Sequence, residues 1–176
     1  MKKDWELYHR FLSLAVVLVL QNVVTLSVNL ADNLMLGAYS ETALAGVAAV
    51  NQIQFVYQQL LHALGDGVVI VGSQYWGKHQ TEPMKKLASS AMRFALILSA
   101  VLLAVMSLIP YRVMGIFTRD SGIIEEGARY LNIIRFTYLF FAVTQILLAT
   151  LRSVETVKIA FKLSVLTLFV LSLIHI

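Results

Sequence analysis

One carboxylate, Asp32, stands just beyond Phe11–Leu30, a run of 20 residues without a charge. An ionisable side chain inside an apolar run is costly against lipid, so its presence points to a site for an ion. Asp32 is therefore the expected ion-coupling residue. It could bind a proton or Na⁺ and release it when the surrounding cavity changes shape. Read otherwise, Asp32 caps the end of its helix at the outer interface. Upstream lie Gln21, Asn22, Thr25 and Asn29. At 100° per residue these four and Asp32 share roughly one third of a helix circumference. A second polar row follows: Asn51, Gln54, Gln58, His62, Asp66 and Ser73. Facing lipid, either row would be unfavourable, so both must turn toward other helices or a hydrated cavity. Gln21, Asn22, Thr25, Asn29, Asn51, Gln54, Gln58 and His62 are the candidate cavity-lining groups. Alternatively they join helices, at about 0.6 kcal/mol per interhelical hydrogen bond. His62 is a proton relay or simply a satisfied polar residue. Gly65, Asp66 and Gly67 form a possible hinge, because paired glycines let a helix bend. No nucleophile–base constellation, phosphate loop or metal-ligand spacing accompanies these residues. An enzyme, a metal and an organic cofactor are not expected; H⁺ or Na⁺ would be the coupling ion.

The elements that must carry these groups are membrane helices. Of 176 residues, 59% are hydrophobic and 14% charged. Soluble domains carry about 25% charged residues. The chain could not cover its own apolar surface in water, which excludes a cytosolic enzyme, a disordered tail and a nucleic-acid-binding domain. A net charge of +4 does not change this, because the basic residues cluster between apolar runs. Cysteine is absent, so no disulfide or thiolate site exists. A span needs about 20 mostly apolar residues. Phe11–Leu36, Thr42–Gln74, Leu87–Pro110 and Tyr130–Leu151 satisfy this, and Leu163–Ile174 begins a fifth span that is cut short. The first is read as a retained span, since it exceeds the signal-peptide core of about 7–15 residues. With the N-terminus inside, ten Lys and Arg fall inside and three outside. Trp5, Tyr39, Trp76, Tyr111 and Tyr130 mark the interfaces. Arg93 and Arg135 lie near span ends and can snorkel to the headgroups. Gly46, with Ala45 and Ala49, suits close helix packing. Gly122–Arg129 reads as a short interfacial helix capped by Ser121.

Certain motifs within these spans are more specific. Asn29-Leu-Ala-Asp32-Asn-Leu-Met-Leu-Gly37, Ala43-Leu-Ala-Gly-Val-Ala and Gly72-Ser-Gln-Tyr-Trp-Gly77 follow one another, with Leu151-Arg-Ser-Val-Glu after the fourth span. This pattern resembles the N-terminal part of the multidrug and toxic compound extrusion (MATE) transporters. The resemblance covers about residues 10–170. It implies a secondary antiporter of twelve helices in two lobes that exports cationic or amphiphilic compounds against a proton or Na⁺ gradient. It further implies that Asp32 matches the acidic first-helix residue of the N-lobe cation site. Val28 stands where proton-coupled members can place a tyrosine.

The expected architecture is thus an all-α polytopic transmembrane bundle with four full spans, a truncated fifth and the N-terminus inside. Residues 1–170 would be a partial N-lobe. The last six residues, Leu171-Ser-Leu-Ile-His-Ile, are similar to a translated transposon-end adapter and are expected to be a non-native tail. The implied location is the bacterial inner membrane, multi-pass. The implied partners are the bilayer, a small amphiphilic or cationic substrate, and the missing C-terminal part of the same transporter, with no nucleic acid. A related lipid or polysaccharide flippase is one alternative. A short non-transporting membrane protein acting by helix association is another.

Overall fold

A computed structural model describes residues 2–156, with 159, 162, 163 and 166; side-chain surroundings are not described for residues 2–7, 9, 10, 14 and 21. The described residues form helices and no strands. The helices are α1 (Lys2–Tyr39), α2 (Glu41–Gly77), α3 (Thr81–Leu108), α4 (Pro110–Met114), α5 (Ser121–Ile134) and α6 (Thr137–Ser153). The chain divides into two compact units, residues 1–34 with 155–176, and residues 35–154.

In the first unit, α1 carries large apolar side chains in the open, among them Phe11, Leu12, Val19, Leu26 and Leu30. Phe11–Tyr39 is long and apolar enough to cross a membrane. The expected fifth span falls almost wholly outside the described residues, as does the tail 171–176.

The second unit is organised around α2. Its start is set by Ser40, whose hydroxyl accepts the Ala43 N–H at 3.3 Å. Gly46, Val50, Tyr57, Leu61, Gly65, Val68 and Gly72 are buried along α2 at three-, four- and seven-residue steps. Such steps keep one face toward the neighbouring helices α3, α5 and α6. A tight turn at Lys78–Gln80, with His79 at φ 57, reverses the chain into α3. Pro110 opens α4, where its missing N–H costs nothing.

Three expectations need correction. The cap of α5 is Asp120, whose carboxylate accepts from Gly122 and Ile123 at 2.8 and 3.1 Å, so Ser121 is already helical. The presumed interfacial helix is longer than Gly122–Arg129 and runs to Ile134. The expected span Tyr130–Leu151 is broken at Arg135–Phe136, with α5 and α6 bent by 57°. No proline or glycine marks this break. The hydroxyl of Thr137 donates to the Ile134 carbonyl at 2.6 Å, capturing the acceptor that a straight helix would give to residue 138.

Among the described residues the expected spans are matched only in part. α3 is long and apolar enough to cross a membrane, and the bent α5–α6 pair qualifies only when counted as one. α2 is long enough, at roughly 55 Å from the helical rise, but is not among the helices apolar enough to do so. Its amide row dilutes it. Such a helix lies at membrane depth only with that row covered.

Candidate functional site

Because α1 is continuous through Tyr39, Asn22, Thr25, Asn29 and Asp32 fall on one face, and all four are exposed. The side chain of Gln21 lies outside the described residues. Asp32 stands about two turns before the helix end. From there its carboxylate stands too far back to act on the last carbonyls, and as an acceptor it could not pair with them. The capping alternative for Asp32 therefore loses its geometric basis.

The row on α2 is likewise continuous, because the helix runs unbroken through Gly65, Asp66 and Gly67. Asn51, Gln54, Gln58 and His62 are half-buried, and Asp66 and Ser73 are exposed. Each follows a packed position by one residue or sits beside it, so the row borders the buried face. The four half-buried groups make no hydrogen bond among the described residues. Gly65 has a packing role here: a Cβ at that position would meet Ala149 Cβ at 3.3 Å. Gly67 has nothing within 4 Å. Among the described residues, no group of three or more His, Asp or Glu could hold a metal ion.

The polar contacts that do join helices lie elsewhere. Tyr57 of α2, only 3% exposed, donates its hydroxyl proton to the Tyr138 carbonyl of α6 at 2.7 Å. Its oxygen also lies 2.7 Å from Ser99 Oγ of α3, which is 2.6 Å from the Ala95 carbonyl. Two hydroxyl protons thus serve three short contacts. With the Tyr57 proton on Tyr138, the Ser99 proton is shared between Tyr57 and Ala95. The Tyr57 and Tyr138 rings meet edge to face at 5.3 Å. This node ties three helices just beyond the α5–α6 break. Beside that break the Arg135 guanidinium lies 5.1 Å above the Phe136 ring.

Residue types alone did not reveal the node, since its members are 42 and 81 positions apart. One signal was available. Tyr57 falls on the glycine-and-aliphatic face of α2, not on the amide face, and Ser99 continues the Ala91–Ala95 step of α3. Tyr57→Phe should lower resistance to denaturing detergent by about 0.5–1.5 kcal/mol, a range that includes the membrane average of about 0.6 kcal/mol. Unfolding titrations of the 176-residue chain in mild detergent would measure it. Unchanged stability would mean the node holds nothing together.

The motifs and this helical architecture agree with comparisons to known proteins. The MatE family model matches residues 18–175. The probable multidrug resistance protein NorM of Thermotoga maritima is 28% identical over 148 residues, covering 84% of this chain and 32% of that protein. The probable multidrug resistance protein YoeA of Bacillus subtilis is 25% identical over 157 residues, covering 89% of this chain and 34% of that protein. The chain therefore spans about a third of the length of these relatives. No solved structure matches. A family model that matches from within the first apolar run to the penultimate residue, on a membrane-type helical chain, leads to one conclusion: this chain belongs to the MatE family, the multidrug and toxic compound extrusion transporters.

Proposed function

We propose that this chain supplies part of the cation-coupled cavity of a secondary active efflux transporter. Its N-terminus lies on the cytoplasmic side of the bacterial cell membrane, as the placement of Lys and Arg favours. Asp32 binds the coupling ion, H⁺ or Na⁺. Asn22, Thr25 and Asn29 on α1, with Gln21, and Asn51, Gln54, Gln58 and His62 on α2 line the path of an amphiphilic or cationic substrate. Ion and substrate alternately stabilise the two states of the cavity. The observation that carries this reading is on α1. A helix exposed and apolar around most of its circumference keeps one polar face that ends in a carboxylate. The names of the two relatives, both multidrug resistance proteins, support the substrate class. The remaining cavity walls would come from further chain of the same transporter.

The test begins with the gene read on both sides of the codons for Met1 and Ile176. Its product, reconstituted in vesicles, should expel an amphiphilic cationic dye only when a proton or Na⁺ gradient is imposed. Dye movement indifferent to both gradients would exclude ion-coupled transport.

A further inference from the structure

Lys85, Lys86, Ser89, Ser90 and Arg93 line a shallow concavity of about 400 Å³ on the first half of α3. All five are exposed. Steps of one, four and eight residues gather them within about 140° of the helix circumference. The proposed transport path uses none of them. Lys85 pairs with Glu82 at 2.7 Å, but both side chains are 72% exposed. Such a pair is worth little and opens easily. With Glu82 counted, the patch retains a surplus of two positive charges.

What fits there follows from the rest of the helix. Below the basic patch, on a face that overlaps it, Phe94, Ile97 and Val101 are 67%, 62% and 58% exposed, and the apolar track continues to Leu108. From Leu108 back to Arg93 is roughly 22 Å along the axis, and back to Lys85 roughly 35 Å. A hydrocarbon core is about 30 Å thick. With Leu108 at one boundary, Lys85 and Lys86 stand at the opposite headgroup layer, and Arg93 reaches back toward it by snorkelling. Cations and hydroxyl donors at headgroup depth, directly above an open apolar track, match one amphiphile: phosphate above, acyl chains below.

We propose that this face of α3 binds an anionic phospholipid, its phosphate held by Lys85, Lys86 and Arg93 with hydroxyl donation from Ser89 and Ser90, and its chains laid along Phe94, Ile97 and Val101. Basic clusters bordering a membrane attract anionic lipid through charge, at a strength that grows with each Lys or Arg near the surface. The apolar track distinguishes this from binding of free phosphate, which gains nothing from Phe94 or Ile97. Nor does it depend on the transport reading. It concerns one face of α3, apart from the polar rows of α1 and α2, and holds whether or not Asp32 couples an ion.

The test uses the full 176-residue chain in nanodiscs of equal parts phosphatidylcholine and phosphatidylglycerol, with retained lipid identified by native mass spectrometry. Phosphatidylglycerol should be retained over phosphatidylcholine. Lys86→Gln with Arg93→Gln should weaken that retention about thirtyfold, from two cationic contacts. Lys86→Arg with Arg93→Lys should restore it, since the charge is kept. Lys78→Gln with Arg112→Gln removes equal charge from exposed positions outside the concavity and should leave retention unchanged. Three results overturn the proposal: equal retention of the two lipids, equal loss in both charge-removing pairs, or displacement of the lipid by inorganic phosphate alone. Should the Gln pair lose helical content by circular dichroism, Phe94→Ser serves instead. It must weaken retention without touching a charge, and normal retention by it also overturns the proposal.

Discussion

Asp32→Asn is expected to reduce gradient-driven efflux to the level of protein-free vesicles while the variant still inserts into the membrane. The side chains are nearly the same size, so packing changes little. What changes is the chemistry. A carboxylate can take up H⁺ or ligate Na⁺, and an amide does neither with useful affinity. A tenfold gradient of a singly charged ion supplies about 1.4 kcal/mol per ion carried. A site that carries no ion receives none of it, however large the gradient. A ligand shifts two conformations only through its differential affinity for them. Without a bound ion, the outward and inward cavities are therefore no longer biased by the gradient. Stability argues in the same direction. Asp32 is exposed on α1, so removal of its charge strands no buried partner. Glu41→Gln is the matched control. It removes a carboxylate from the first turn of α2 and should leave coupling intact. The measurement is dye efflux from vesicles under an imposed proton or Na⁺ gradient, normalised to inserted protein. Undiminished efflux by Asp32→Asn would remove Asp32 from the mechanism. Equal loss in both variants would reduce its effect to one of charge alone.

The features that were legible beforehand are those written locally. Charge-free runs disclosed α1 and α3, because the cost of a charge in lipid leaves a long gap in the sequence. The polar rows on α1 and α2 were legible because helical periodicity needs no knowledge of neighbours. Gly46, with Ala45 and Ala49, reads as a packing residue, and its Cβ position meets the backbone of α5. The features that stayed hidden depend on partners far along the chain or on single rotamers. The break at Arg135–Phe136 coincides with the Thr137 hydroxyl bond to the Ile134 carbonyl, but a threonine in an apolar run gives no warning of it, since Ser73 makes the same bond to Ile70 within unbroken α2. Ser121 and Asp120 are both good N-caps, and one residue of register separates them. The Tyr57 node needs three helices brought together before any of its bonds exists. At Asp32 the sequence left capping and ion binding both open. The continuation of α1 to Tyr39 removes the geometric basis of the first.

Gly46→Ala and Gly67→Ala should change stability in opposite directions, although both replace a helical glycine of α2 by the same residue. In an open helix, alanine is favoured over glycine by up to about 1 kcal/mol, because glycine loses more backbone freedom on folding. Gly67 meets that condition, with nothing within 4 Å of an added Cβ. Gly46 does not. A Cβ there would stand 2.8 Å from the Gly127 nitrogen, 3.2 Å from the Ile123 carbonyl oxygen and 3.3 Å from Gly127 Cα. These are backbone atoms of α5, and no rotamer change moves them aside. α5 must shift off α2 as a body, which also disturbs Met114 where it lies against Gly127. Overpacking of this kind costs about 1–3 kcal/mol, more than the propensity gain. Gly46→Leu should go further and separate the two helices. Detergent-unfolding midpoints of the two alanine variants decide the matter, and a stable Gly46→Ala would show that α2 and α5 do not approach this closely in the membrane. Gly67→Ala has a second use. It stiffens the proposed Gly65–Gly67 hinge while stabilising the helix, so gained stability with lost efflux would mark that segment as one that must bend during transport.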